Sequence, residues 1–130
     1  MLVINIPMRA LSINHTHFRN RVKKPETREY EEAFLWHLSK YKGQIDEFNK
    51  EFRAGTTYSV EYIFLFNEKS FYTKKRLMGI KKTPDLDNLI KLTQDLIFSK
   101  IGNDGLIKEI RATKSATDKD DSIIILISML

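Results

Sequence analysis

The sequence predicts an α+β fold: a mixed four-stranded or slightly larger sheet packed on two main helices, in the order β-α-β-α-β-β. Short runs rich in β-branched and aromatic residues occur near the start, in the middle and near the end of the chain, which favours strands there. Longer segments between them carry apolar residues at helical spacing. Strands and helices in this irregular alternation are typical of α+β domains.

The first half of the chain is predicted to contain two strands around a helical region. Residues 2–8 alternate enough to form the first strand, which Pro7 and a long basic loop over residues 9–25 bring to an end. Thr27 is predicted to cap an amphipathic helix that Gly43 ends or kinks, with a further helical piece over residues 44–52. Residues 58–66 are short, β-branched and aromatic, so they form the second strand.

The second half is predicted to contain one helix and two strands. Residues 67–82 are predicted to form a flexible arm or an irregular hairpin. Apolar residues spaced three, four and seven apart predict a helix over 86–101, capped by Asp85 and ended by Gly102. Residues 106–115 and 122–130 are predicted to pair as a hairpin, with the polar turn 117–121 between them. The last of these strands is apolar at nearly every position, so we expect it in the centre of the sheet.

Composition indicates one domain and excludes several kinds of chemistry. A chain of 130 residues with 42% hydrophobic residues has enough apolar material for a single core. The absence of cysteine excludes disulfides, a thiol nucleophile and Cys-ligated metal centres. Neither an apolar run of about 18 residues nor the pattern of a secretory signal occurs, so we expect an intracellular protein without a membrane partner.

The charge of the chain points to a polyanionic partner. Its net charge is +5 with a pI near 9.4, and a basic excess of this size fits nucleic acid. The basic residues cluster rather than spread evenly: Arg19, Arg21, Lys23, Lys24, Lys74, Lys75, Arg76, Lys81 and Lys82.

The densest chemistry lies in residues 81–91, where two lysines precede Asp85, Asp87 and Lys91. Carboxylates this close repel one another unless they are neutralised or share a cation, which suggests a divalent metal site. Lys81 and Lys82 would hold a phosphate backbone beside that ion. Asp104, in a Gly-Asn-Asp-Gly turn, offers a third oxygen ligand.

A purely structural interpretation of the same residues stays open at this point. Asp85 would cap the helix, Asp87 would lie in its acidic first turn and form an ion pair with Lys91 four residues later. Asp104 would be an ordinary turn residue, since Asn and Asp are favoured beside Gly. The corresponding function would be a non-enzymatic DNA-binding or phage assembly module.

The motif Asp85-Leu86-Asp87-Asn88-Leu89-Ile90-Lys91, followed by Asp104, resembles the signature of the RusA family of Holliday junction resolvases. Ser12-Ile13-Asn14-His15 is similar to the family's Ser-x-Asn segment, and residues 27–30 resemble its helix entry. The resemblance covers nearly the whole chain, which would then be one RusA-like domain over residues 1–130. The chain has Asn103 where the family often has a second acidic residue.

The resemblance implies a homodimeric endodeoxyribonuclease that resolves four-way junctions or related branched DNA by paired symmetric nicks. It implies that Asp85, Asp87 and Asp104 bind Mg²⁺, or Mn²⁺ as a substitute, and that Lys91 contacts the scissile phosphate. Asn88 would support this site. No small-molecule cofactor is expected, and the setting would be the cytoplasm of a bacterial or phage-infected cell. The residues expected to bind DNA are Asn14, Arg19, Arg21, Lys23, Lys24, Lys81 and Lys82.

A helix over residues 86–101 would be about 22 Å long, at 1.5 Å per residue, which places Asp104 far from Asp85. One hypothesis is that two such helices pair antiparallel across a two-fold axis, so that Asp104 of one subunit completes the site of the other. The competing hypothesis is that the helix ends early or the loop folds back.

Overall fold

The computed structural model describes residues 1–11, 25–71 and 84–130. The predicted basic loop over residues 9–25 and the predicted arm or irregular hairpin over 67–82 lie mostly outside the described residues. Where residues 67–71 are described, they form the end of a strand and a short helix instead. The predicted α+β class and four-stranded mixed sheet are confirmed. Among the described residues, no helix combines the length and apolar character that crossing a bilayer requires.

The sheet is built from β1 (Leu2–Ile6), β2 (Tyr58–Asn67), β3 (Ile107–Thr117) and β4 (Ser122–Met129), in the spatial order β1-β4-β2-β3. β4 pairs antiparallel with both β1 and β2, and β3 pairs parallel with β2. The predicted central position of the last strand is confirmed. Its buried side chains alternate with half-buried ones, so both of its faces are at least partly covered.

The prediction that the last two strands form a hairpin is wrong. β2 lies between β3 and β4 in the sheet, so these consecutive strands are not neighbours. Composition explains the arrangement: β4 is apolar along most of its length, whereas most β3 side chains are exposed. A polar strand is better placed at the edge of the sheet, where one side remains open.

The helices are α1 (Pro25–Ser39), α2 (Lys42–Lys50), the short α3 (Glu68–Phe71) and α4 (Leu86–Ile97). The predicted order is therefore too simple: the first helical region forms two helices, broken at residues 40–41 rather than at Gly43. Thr27 is buried in the first turn of α1 and is not its cap, because the helix begins at Pro25. Proline suits a first helical turn, where its missing N–H has no partner to lose.

The hydrophobic core lies on one face of the sheet, and its strand residues are almost fully enclosed: Leu2, Ile4, Ile6, Tyr58, Val60, Tyr62, Phe64, Phe66, Ile123, Ile125 and Ile127. Burying a large apolar side chain contributes about 1.5–3 kcal/mol. Helix α4 adds the buried stripe Leu89, Leu92, Thr93, Leu96 and Ile97. This packing fixes the helix against the sheet and leaves its opposite face, with Asp87, Lys91 and Asp95, exposed to solvent.

Helix α4 ends at Ile97, four residues before the predicted end. Phe98 and Ile101 are nevertheless buried, 7% and 1% exposed, although they lie in the following turn. The apolar spacing thus continues past the last helical residue, which explains why the sequence pattern extended the helix too far.

Candidate active site

Asp85 occupies the N-cap position of α4, with extended backbone angles of φ −63° and ψ 146°. Its carbonyl accepts the N–H of Leu89 at 3.2 Å, which starts the helical hydrogen-bond pattern. The predicted start of the helix at this residue is confirmed. The exposed Asp85 side chain makes no capping hydrogen bond, however. Its carboxylate therefore does not perform the role that the structural interpretation assigned to it.

Asp87 lies in the first turn of α4 and is exposed. Its Oδ1 accepts the N–H of the adjacent Asn88 at 3.0 Å. Lys91 is exposed one turn later, but within the described part of the chain no ion pair joins it to Asp87. The ion pair expected from the structural interpretation is thus not formed. Both side chains are left facing solvent, where a ligand can reach them.

Sequence reasoning missed Lys114, which reaches this end of α4 from the sheet. Its Nζ donates a hydrogen bond to the carbonyl of Pro84 at 2.8 Å in a partly buried setting. Lys114 pairs with the fully buried Phe64 of β2, so it stands on the core-facing side of β3. The available signal was strand alternation, which puts Lys114 on the same face as Ile110 and Ala112, although its partner could not be read from the sequence.

Asp104 opens a short 3₁₀ turn, Asp104–Leu106, that leads directly into β3. The side chain of Asn103 accepts the N–H of Gly105 at 2.8 Å and so stabilises the turn. Asp104 itself is exposed and lines an open cleft together with Asp95 near the end of α4. The position that is often acidic in the RusA family is thus used here for a turn hydrogen bond.

The pKa of a buried tyrosine is affected by both carboxylates of this cleft. Tyr62 of β2 is fully buried and donates its hydroxyl to Oε1 of Gln94 at 3.0 Å. Burial raises the pKa of Tyr62, and the negative charges of Asp104 and Asp95 raise it further. Asp95 was not among the predicted site residues, although it lies on the exposed face that also carries Asp87 and Lys91.

Helix α4 runs antiparallel to β3. At its beginning, Pro84 contacts Lys114, near the far end of the strand. At its end, the ring of Phe98 packs edge-on against Tyr58, with 5.6 Å between ring centroids. Tyr58 in turn pairs with Ile107, the first residue of β3. These two contacts fix the direction of the helix along the strand.

Asp85 and Asp104 consequently lie at opposite ends of this helix–strand pair. The twelve residues of α4 span about 18 Å at 1.5 Å per residue. The stretch of β3 between its two contacts with the helix spans about 23 Å at ~3.3 Å per residue. The helix and the paired stretch of β3 are thus each roughly 20 Å long, with Asp85 before the start of the helix and Asp104 after its end.

The oxygen donors at the start of α4 suit a hard divalent cation, which prefers carboxylate ligands. Asp85 and Asp87 are two residues apart, exposed and not engaged in ion pairs with other described residues. Two carboxylates are an incomplete ligand set. Throughout the described ranges, no three His, Asp or Glu side chains come together closely enough to hold a metal ion. Asp85 and Asp87 are thus ligands of the right chemical type for such an ion, but a complete site needs further oxygen ligands.

The predicted DNA-binding residues lie outside the described residues. They are Asn14, Arg19, Arg21, Lys23, Lys24, Lys81 and Lys82. Their assignment stays a prediction.

A basic net charge fits a nucleic-acid partner, and exposed carboxylates beside a lysine at the start of one helix suit metal-assisted chemistry on a phosphate. The chain belongs to the RusA family: the family model described as Endodeoxyribonuclease RusA matches residues 8–128. A comparison with curated proteins gives no match. The resemblance inferred from the motif is therefore confirmed over nearly the whole chain.

Membership of this family confirms the prediction of an enzyme, an endodeoxyribonuclease, over the non-enzymatic alternative. The family is one of Holliday junction resolving nucleases, which bind branched DNA and generally use a divalent metal. The family therefore assigns the protein the activity of a Holliday junction resolving nuclease.

Proposed function

We propose that the protein is a Mg²⁺-dependent homodimer that resolves four-way junctions by paired symmetric nicks, with each active site shared between two subunits. Asp85 and Asp87 of one subunit and Asp104 of the other would together hold the ion. We also propose a cytoplasmic location in a bacterial or phage-infected cell, because the substrate is DNA.

The separation of the carboxylates carries this proposal. Within one chain Asp85 precedes α4 and Asp104 follows it, and the helix between them is about 18 Å long, whereas carboxylates that share a metal ion lie within a few ångströms of one another. Each position nevertheless presents an exposed carboxylate. A two-fold axis near the middle of α4 would bring the start of one helix beside the end of the other. Two such sites per dimer, related by symmetry, suit cleavage of two equivalent strands.

The chemistry divides between the bound ion and the side chains of this chain. A divalent cation lowers the pKa of bound water and offsets charge on the phosphate as it is attacked. Asp85, Asp87 and Asp104 would hold that cation. Lys91, exposed one helical turn beyond Asp87, would place an ammonium against the scissile phosphate, where it stabilises the added negative charge. Asn88 holds Asp87 through its backbone N–H.

Positively charged segments would hold the junction around these sites. The predicted set comprises Arg19, Arg21, Lys23, Lys24, Lys81 and Lys82, with Asn14 as a polar contact. Such contacts to phosphates position the DNA without selecting its sequence. Binding should therefore weaken steeply with added salt, as expected for several phosphate contacts.

The direct experiment mixes two inactive subunits. A heterodimer of D85N and D104N subunits, isolated with two different affinity tags, has one intact site if the site is shared between chains. It should then nick one strand of a synthetic four-way junction in Mg²⁺ instead of two. If each site lies within one chain, both sites carry a lesion and no strand is cut.

The matched control is a heterodimer of D85N and D87N subunits. Both substitutions damage the same half of the site, so neither arrangement leaves an intact centre and no cleavage is expected. Full cleavage by a D87N homodimer would contradict the proposed role of this carboxylate. Junction binding, measured without divalent metal, should be retained in all of these variants.

A further inference from the structure

Lys114 stands at an unusual position for a lysine, on the core-facing side of β3. Its pairing partner Phe64 is completely buried. The neighbouring positions on the same face of the strand are Ala112 and Ala116, whose small side chains leave room for the lysine stem. The aliphatic part of Lys114 can therefore lie along the sheet while its ammonium extends to the margin of the core.

The ammonium of Lys114 ends on a backbone carbonyl. Nζ donates to the carbonyl oxygen of Pro84 at 2.8 Å, and the contact is partly shielded from water. Pro84 precedes the helix, so helical hydrogen bonds do not account for its carbonyl oxygen. A hydrogen bond from a charged donor is about twice as strong as a neutral one. The lysine thus ties the segment before α4 firmly to the sheet.

This hydrogen bond constrains the residue that follows. The carbonyl of Pro84 and the Cα atom of Asp85 belong to the same planar peptide unit, so holding the oxygen also limits where that Cα can lie. On its other side, the carbonyl of Asp85 accepts the N–H of Leu89 at 3.2 Å. The backbone of Asp85 is therefore held from both directions, by the sheet and by the first helical turn.

An N-cap side chain is normally oriented by its hydrogen bond to a backbone N–H of the first helical turn. The Asp85 side chain makes no such capping hydrogen bond. The direction of its carboxylate is therefore set by the backbone on which it stands. We propose that Lys114 is a positioning residue for Asp85: it anchors the Pro84–Asp85 peptide so that the carboxylate is presented in one place for metal binding.

This inference rests on the proposed role of Asp85 and adds a determinant from another part of the chain. A purely structural role for Lys114 is the alternative, in which the hydrogen bond only stabilises the fold. The two roles predict different behaviour of the folded protein, at temperatures well below unfolding. A structural residue changes the free energy of unfolding, whereas a positioning residue also changes how a folded protein binds metal.

The test compares K114M and K114R with the natural protein. K114M removes the donor, whereas K114R keeps a charged donor and should partly rescue. Loss of a group that orients a metal ligand typically costs 10–100-fold in metal affinity or activity. We expect K114M to weaken Mn²⁺ binding to the DNA-free dimer about 10-fold or more, measured by electron paramagnetic resonance, and to lower single-turnover cleavage at saturating junction.

The control is K108M, which removes an exposed lysine of the same strand at the end near Asp104. It should leave Mn²⁺ affinity within about twofold of the natural protein. A double variant, K114M with D85N, should bind Mn²⁺ no more weakly than D85N alone, because Lys114 acts through Asp85.

Mn²⁺ binding and cleavage by folded K114M within twofold of the natural values would overturn the inference, as would additive effects in the double variant. If K114M does not fold, K114Q replaces it, because its shorter, neutral side chain cannot make the charged hydrogen bond to Pro84. Natural Mn²⁺ affinity in folded K114Q would again overturn the inference. Failure of the proposed function is distinguishable, because D85N itself would then bind Mn²⁺ and cleave normally.

Discussion

The hydroxyl of Tyr41 makes two hydrogen bonds to the backbone of Asn5: it accepts the N–H at 3.1 Å and donates to the carbonyl at 3.2 Å. Asn5 belongs to β1, which pairs with β4 alone among the described strands and so forms an edge of their sheet. One side chain from the α1–α2 junction thus occupies the open edge of the sheet at this residue. Edge strands left unpaired are common sites of association between protein molecules.

Replacing Tyr41 by Phe should therefore reduce stability and promote association. The lost hydroxyl leaves two partly solvated backbone groups unpaired, which should cost about 1 kcal/mol in the free energy of unfolding, measured with urea. Light scattering should show association that increases with protein concentration. N5A is the control, since the hydrogen bonds involve only its backbone, and it should stay within about 0.5 kcal/mol. Equal urea midpoints for Y41F and the natural protein would contradict the prediction.

Gly102 should not tolerate a side chain. Its φ of +151° is in the region that favours glycine, and an added Cβ would lie 2.6 Å from the hydroxyl oxygen of Tyr58. We expect G102A to cost about 1–3 kcal/mol in thermal or urea unfolding. The double variant G102A/Y58F removes the clash but keeps the backbone strain, so it should recover part of that loss.

Gly43 provides the matched control for Gly102. It lies in α2, and an added Cβ would have no atom within 4 Å. Alanine is favoured over glycine inside a helix by about 0.8–1 kcal/mol, so G43A should stabilise the protein. Similar losses in both variants would show that the contact with Tyr58 is not the cause.

The protein should lose stability at alkaline pH in part through Tyr30. Burial raises its pKa to about 12, although the nearby backbone of Leu11 opposes the shift. An unfolded tyrosine ionises near 10, so between about pH 10 and 12 the unfolded state binds fewer protons than the folded state. This contribution to stability is fully present below about pH 10 and falls by about 1.4 kcal/mol per pH unit until about pH 12, above which both states are ionised.

Y30F should remove that contribution. Its free energy of unfolding, obtained by urea titration at several pH values, should fall less steeply than that of the natural protein between pH ~10 and ~12. Lysine residues titrate in the same range, so the difference between the two proteins is the relevant quantity. Parallel curves over the whole range would contradict the assignment to Tyr30.

Asp85 should contribute little to helix stability. Because its side chain makes no capping hydrogen bond, D85A should lose only the interaction of its charge with the helix dipole, about 0.5 kcal/mol at low salt. This loss should nearly vanish at high salt, where the charge is screened. N103A is the comparison: it removes a neutral hydrogen bond to Gly105, so its cost of about 1 kcal/mol should persist in salt. A salt-independent loss in D85A would restore the capping interpretation.

The parts of the structure that were predictable from the sequence are those that depend on local pattern. The alternation in β1 and β2, the apolar run of β4 and the start of α4 after Pro84 are all local properties, and the structure has them. The placement of Asp85, Asp87 and Lys91 at the start of one helix was predictable in the same way, while their roles in metal binding and catalysis stay predictions. The family motif then identified the chemistry.

The wrong predictions concern features that depend on contacts between segments far apart in the sequence. Nothing local to β3 and β4 shows that β2 will insert between them, because strand pairing depends on the whole sheet. Buried turn residues such as Phe98 continue the apolar spacing of the helix, so the sequence pattern predicts a helix that is too long. Lys114 was missed because its partner, the carbonyl of Pro84, is 30 residues away and has no sequence signal of its own.

The position of β4 has a consequence for how the protein reaches its native state. Of the strands that the structure describes, β4 is the one that pairs with β1, and Leu2 of β1 lies beside Ile127 of β4. During synthesis β1 leaves the ribosome before β4, its pairing partner among the described strands. Until then the inner edges of β1 and β2 are both open to other chains. Folding should accordingly be slow and completed only after β4 has emerged, with molecular chaperones most useful during that interval.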